Sequence, residues 1–137
     1  MLSKIIKTVS DGLISGGVFP VYNAFDNVLL EKKCKGIFTI VEISSFESSS
    51  PIYSPYTVFL PFKAEVTIKA TAPQDYPIET LYSFYDEKVS PAINKLTGLN
   101  GSLKDLSIKY DSNINRLVLS AKLLTSGITR VERNENG

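Results

Sequence analysis

The feature that most constrains this chain is the stretch from Tyr56 to Thr71. Val58, Leu60, Phe62, Ala64, Val66, Ile68 and Ala70 fall on one parity, while Thr57, Lys63, Glu65, Thr67, Lys69 and Thr71 fall on the other. Side chains on a strand alternate between faces, so this pattern specifies a long strand with one core face and one wet face. Phe59 and Pro61 break the alternation. Proline cannot donate to a ladder, so Pro61 predicts a bulge or an unpaired position. A half-buried strand of this length needs a second layer to cover its apolar side.

Two amphipathic helices are expected to supply that layer. Residues 2–14 place Leu2, Ile5, Ile6, Val9 and Leu13 on one stripe, and Gly16-Gly17 ends the pattern. Downstream, Ile78, Leu81, Tyr82, Tyr85, Val89, Ala92, Ile93 and Leu96 repeat at helical spacing, with Pro77 at the start and Gly98 at the end. Phe84 lies off that stripe. Pro91 lies inside it and should kink or break the helix near Glu87–Ser90, because it lacks the amide hydrogen.

Further strands are expected around these elements. Residues 18–22 (Val-Phe-Pro-Val-Tyr) read as a short edge piece, and residues 36–46, apolar on both faces in their first half, as an interior strand. Glu47 to Pro55 reads as a loop or a protruding hairpin tip. Leu106, Ile108 and Tyr110, then Leu117, Leu119, Ala121 and Leu123, alternate about a turn at Asp111–Asn115 and predict an antiparallel hairpin. The expected fold is α+β: a largely antiparallel sheet of about four strands, with two amphipathic helices packed on one face. It forms a single domain over residues 1–131, followed by a polar tail over 132–137.

Composition removes most chemistry. Among 137 residues there is no histidine, and Cys34 is the one cysteine. Histidine-dependent triads, histidine-bearing zinc sites and intrachain disulfides are therefore excluded. No phosphate-binding loop, dinucleotide turn or nucleophile elbow is present. Asp86-Glu87 are adjacent on a helix and point in different directions, which reads as a solvated face. Cys34 among Lys32, Lys33 and Lys35 reads as an incidental thiol in a solubilising edge segment, since activation also needs a base or an enclosing pocket. Fifteen Lys+Arg against 14 Asp+Glu leave a charge of +1, giving no footprint for nucleic acid, and no apolar run is long enough to span a bilayer. The N-terminus lacks the apolar core of a secretory signal, so an intracellular site of synthesis is expected.

The order of elements resembles the tail terminator (tail-completion) proteins of long-tailed phages and prophages. The residues that carry the resemblance are the alternation Ala64–Ala70, the loop Ala72-Pro73-Gln74-Asp75, the mid-helix proline in Val89–Ile93, and the hairpin from Ile108–Asp111 to Leu117–Ala121. The resemblance implies a structural virion protein, neither enzyme nor cofactor carrier. It would form a six-fold homo-oligomeric ring that caps the tail tube and joins it to the head connector. Its partners would be its own copies, the tail tube protein and the connector protein, with no nucleic acid and no membrane. It would act in the host cytoplasm and then in the virion. The subunit interface expected is Phe46, Ile52, Tyr53, Tyr56 and Phe59, apolar residues crowded about a Ser- and Pro-rich loop. A small α+β adaptor or ligand-binding module is the alternative function, and an enzyme built on scattered Tyr, Lys and carboxylate side chains a third.

Overall fold

The structure, a computed structural model, describes residues 2–23, 36–96 and 99–132. The elements run α1 (Leu2–Ser15), β1 (Val21–Asn23), β2 (Phe38–Ser48), β3 (Ile52–Tyr53), β4 (Thr57–Pro73), a helical rod, β5 (Asn100–Asp111) and β6 (Arg116–Glu132). The rod comprises α2 (Ile78–Phe84), a π-helical segment (Tyr85–Val89) and α3 (Ser90–Asn94). The Lys32–Lys35 cluster, Gly98 and residues 133–137 of the expected tail lie outside the described residues. Glu132 closes β6.

The α+β class holds, but the sheet is larger and more mixed than expected. Among the described residues it has six strands in the order β1-β2-β4-β6-β5, with β3 added beside β4. β1 runs parallel to β2, pairing Val21 with Thr39 and Asn23 with Val41, and every other pairing is antiparallel. Three residues are too few for periodicity to reveal, and Pro20 contributes only its carbonyl, which accepts from the Thr39 amide at 3.0 Å.

The parity read from β4 is correct. Phe62, Ala64, Val66, Ile68, Ala70 and Ala72 are buried on the helix-bearing face. Val41, across from Ile68 in β2, and Ala121 and Leu123 in β6 continue that face. α1 inserts Ile5, Val9 and Leu13, and the rod inserts Val89, Ala92 and Ile93. Leu81 closes a second cluster over Ala70, Ala72 and Leu119. Pro61 makes no bulge: β4 and β6 stay in register from Thr57↔Glu132 to Pro73↔Arg116. Its nitrogen faces the flank where β2 ends at Ser48↔Phe62 and β3 begins at Ile52↔Phe59, so little is lost there.

Pro91 acts where the sequence placed it, and its effect is a π turn over Tyr85–Val89. That turn holds an extra residue and shifts the helical phase. Without it Lys88, two α-turns past Leu81, would point at the sheet; with it Val89 does. The same shift corrects two aromatic assignments. Tyr82 is exposed, whereas Phe84 packs on the core. Gly12 and Gly16 let α1 approach the end of the rod: a Cβ on Gly16 would lie 2.4 Å from the Cβ of Ala92, and one on Gly12 would lie 2.2 Å from Leu96 Cδ2.

Candidate interaction surface

β4 and β6 are longer than the helices that cover them. At about 3.3 Å per residue, the 17 residues of β4 span roughly 55 Å. At 1.5 Å per residue, the 14 residues of α1 span about 21 Å. The buried cluster under the helices extends as far as Phe62. Beyond it β4 and β6 run on as a ribbon, with the end of β2 and the short β3 alongside. This ribbon is termed the arm.

The arm carries apolar residues on both faces. The pairing places Phe46, Tyr53, Val58, Leu60 and Val131 on the helix-bearing side, and Ile52, Phe59 and Ile128 on the other. Phe46 stacks on Phe62 with ring centroids 5.8 Å apart, which roots the arm in the core. Ile52 is 55% exposed, Tyr56 67% and Ile128 62%. Tyr53 and Val131 are also exposed, and Phe59 is half-buried. The five residues predicted as an interface therefore lie together, on strands for the most part. Ile128 and Val131 join them and were missed in the sequence, where β6 was not followed past Leu123.

The face opposite the helices is polar along the middle of the sheet. Lys69 pairs with Glu42 at 3.0 Å and Lys122 with Glu65 at 3.8 Å. These part-exposed pairs contribute at most about 1 kcal/mol each. At the end away from the arm a second small cluster forms. Arg116, buried, lies over the Phe38 ring at 4.5 Å and donates to Thr71 Oγ1 at 3.0 Å, to the Thr71 carbonyl at 3.1 Å and to the Gly36 carbonyl. Tyr22 meets the same ring edge-on.

Concavities flank the sheet. One, of about 440 Å³, lies on the polar face beside the β5–β6 turn, between Ile40, Lys69, Lys109 and Ile114. Another, of about 760 Å³, is an open groove between α1 and the β1–β2 edge. Among the described residues no group of three or more metal-ligating side chains converges, and no helix is long and apolar enough to cross a membrane. Asp86 and Glu87 are both exposed. The one resolved pKa shift is that of Tyr85, raised by loss of hydration on burial and then by the charge of Asp86.

No family model and no curated protein matches the chain. Among solved structures it is similar to the type 4 fimbrial biogenesis protein PilO from Pseudomonas aeruginosa, with 13% identity over 93% of this chain and 69% of that one, at a TM-score of 0.30. It is also similar to the core region of PilO from the type IV pilus system of that organism, with 15% identity over 69% of this chain and 82% of that one, at a TM-score of 0.25. These findings correct the resemblance stated from the sequence. The structures it is similar to are those of a pilus protein rather than a phage tail terminator. The tail-tube and head-connector partners and the virion role are left without support. Scores this low carry no argument about function, which must come from the molecule's own surface.

Proposed function

We propose that this protein is a non-catalytic structural module that acts by docking its arm into an apolar surface of a protein partner. The observation that carries the reading is the bare end of the sheet, with Ile52, Tyr56 and Ile128 each more than half exposed on the arm. Isolated exposed apolar residues are ordinary, whereas a contiguous apolar projection marks an interaction site. Completely burying a side chain of this size yields roughly 1.5–3 kcal/mol, so covering Ile52, Tyr53, Tyr56, Ile128 and Val131 would yield on the order of 5 kcal/mol. That gain is offset in part by the cost of association. The non-catalytic part of the reading is supported by residue content, no histidine and one cysteine.

Site-specific photo-crosslinking in the native host tests the reading. A crosslinker at Tyr56 should give a discrete protein adduct, and one at the exposed Asn94 on the rod should not. The double change Ile52→Ser with Tyr53→Ser should abolish the Tyr56 adduct and leave the fold intact. An adduct pattern equal at both positions, or unchanged by the double change, refutes the arm as a docking element.

A further inference from the structure

We infer that the surface the arm docks into is the α1–β2 groove of a second copy of this chain. The inference rests on the arm being a docking element and names its partner. The groove has an apolar lining of Leu2, Ile6, Val21, Val41 and Ile43. Lys7 and Asp11, both exposed, also line it, whereas the Glu42 side chain lies on the opposite face of the sheet and pairs with Lys69. Leu2 is half exposed, and Ile6, Val21 and Ile43 are half-buried, so these four are wet in the single chain, with Val41 buried beneath them.

Arm and groove complement one another in shape and charge. The arm presents Ile52, Phe59 and Ile128 as an apolar strip on one face, with Arg130 and Glu132 on that same face near its end. The groove presents an apolar hollow edged by both signs of charge. Arg130 matches Asp11, and Glu132 matches Lys7.

The two surfaces of one chain are held apart. Val41 in the groove lies across from Ile68, and the arm residue Val58 is ten positions further along β4, about 33 Å away along an extended strand. A ribbon paired in unbroken register with β6 does not fold back on itself, so the arm of one copy reaches only the groove of another. Each copy then gives an arm and receives one. Such head-to-tail contacts close into a ring or continue as a filament, according to the rotation between copies.

Sedimentation over a range of concentrations tests this on the full chain. Wild type should form species larger than a dimer as concentration rises. Ile52→Ser with Tyr53→Ser, on the arm, and Leu2→Glu, in the groove, should each weaken association by about tenfold or more. An equimolar mixture of the two variants should give a heterodimer and nothing larger, because the pair retains one intact arm and one intact groove. Circular dichroism checks that each variant folds. If Leu2→Glu does not fold, the exposed Lys7→Glu replaces it, and Glu132→Lys in the mixing partner should restore pairing. Association lost in the arm variant but unaffected by the groove variants overturns the groove and leaves the arm reading standing. Association unaffected by either overturns both. Wild type that stays monomeric throughout overturns self-docking, while the crosslinking result still decides whether the arm binds something else.

Discussion

Gly127→Ala sets two effects of opposite sign against each other at the root of the arm. Gly127 lies directly across from Phe62 in the β4–β6 pairing. Its φ is not in the left-handed region, so alanine is conformationally acceptable there. Replacing glycine at a compatible position restricts the unfolded chain and stabilises by about 0.4–1 kcal/mol. The added Cβ, however, would lie 2.7 Å from Phe62 Cζ and 2.9 Å from Cε1. Phe62 is buried and stacked on Phe46 at an interplanar angle of 19°, so its ring has little room to withdraw. Overpacking of this kind costs about 1–3 kcal/mol. The clash should win, with a net loss of about 0.5–2 kcal/mol.

Urea unfolding reads this directly. With an m value of about 2 kcal/mol/M, the midpoint should fall by roughly 0.3–1 M with the slope unchanged. The atoms in conflict are absent from leucine, which supplies the decisive control. In a Phe62→Leu background, itself less stable for loss of the ring stack, Gly127→Ala should become stabilising by about 0.4–1 kcal/mol. Such a sign reversal is a coupling between the two positions. If Gly127→Ala stabilises the protein with Phe62 in place, the ring is free to move and the argument that it anchors the arm fails.

Two further outcomes follow from the polar groups. Arg116→Lys loses the planar fork that serves Thr71 and Gly36 from above the Phe38 ring, and should cost about 1.5–3 kcal/mol in urea unfolding; a loss near zero would show that the fork supports nothing. Tyr85 has a pKa raised above 10.0, first by desolvation and then by Asp86, so above its unfolded value the native state holds a proton that the unfolded state has released, and stability falls as pH rises through this alkaline window; Tyr85→Phe should flatten part of that fall, and identical pH profiles for the two proteins would refute it.

The sequence revealed those parts of the fold where burial and periodicity coincide. In β4 every second residue from Phe62 to Ala72 is buried, and the alternation is visible without a structure. The upstream half of the arm was also visible, as apolar residues set among serines and prolines. The rest was hidden for particular reasons. β6 beyond Leu123 places Thr125, Gly127 and Thr129 on the helix-bearing face, so its apolar pattern fades and its pairing with β4 defines it. The rod was misphased at Tyr82 and Phe84 because periodicity assumes an unbroken α-helix and the π turn adds a residue. Gly16 read only as the end of a helix, though Gly12 and Gly16, four apart, also mark a close helix–helix approach. Arg116 gave no signal, since a buried arginine is recognisable only once Phe38 and Thr71 are brought beside it.

The length mismatch between sheet and helices is what ties this fold to an assembly role. A monomer selected for stability alone gains little from carrying β4 and β6 past the last helix contact. The residues from Thr57 to Pro61 and from Ile128 to Glu132 form paired strands, but much of their apolar surface stays in water. Extending strands costs backbone entropy of about 1–2 kcal/mol per residue, which burial elsewhere normally offsets. An exposed apolar ribbon is also an aggregation hazard. Both costs are recovered if the arm is covered in the working state of the molecule, and the α1–β2 groove is a concave surface of this chain that lies out of reach of its own arm. On this reasoning the free chain should be the less stable form, and its stability should rise with its own concentration. Thermal unfolding at increasing protein concentration should therefore show a rising midpoint in wild type and a flat one in the Ile52→Ser, Tyr53→Ser variant. A midpoint that does not depend on concentration in wild type would mean that the arm is not covered by a second copy.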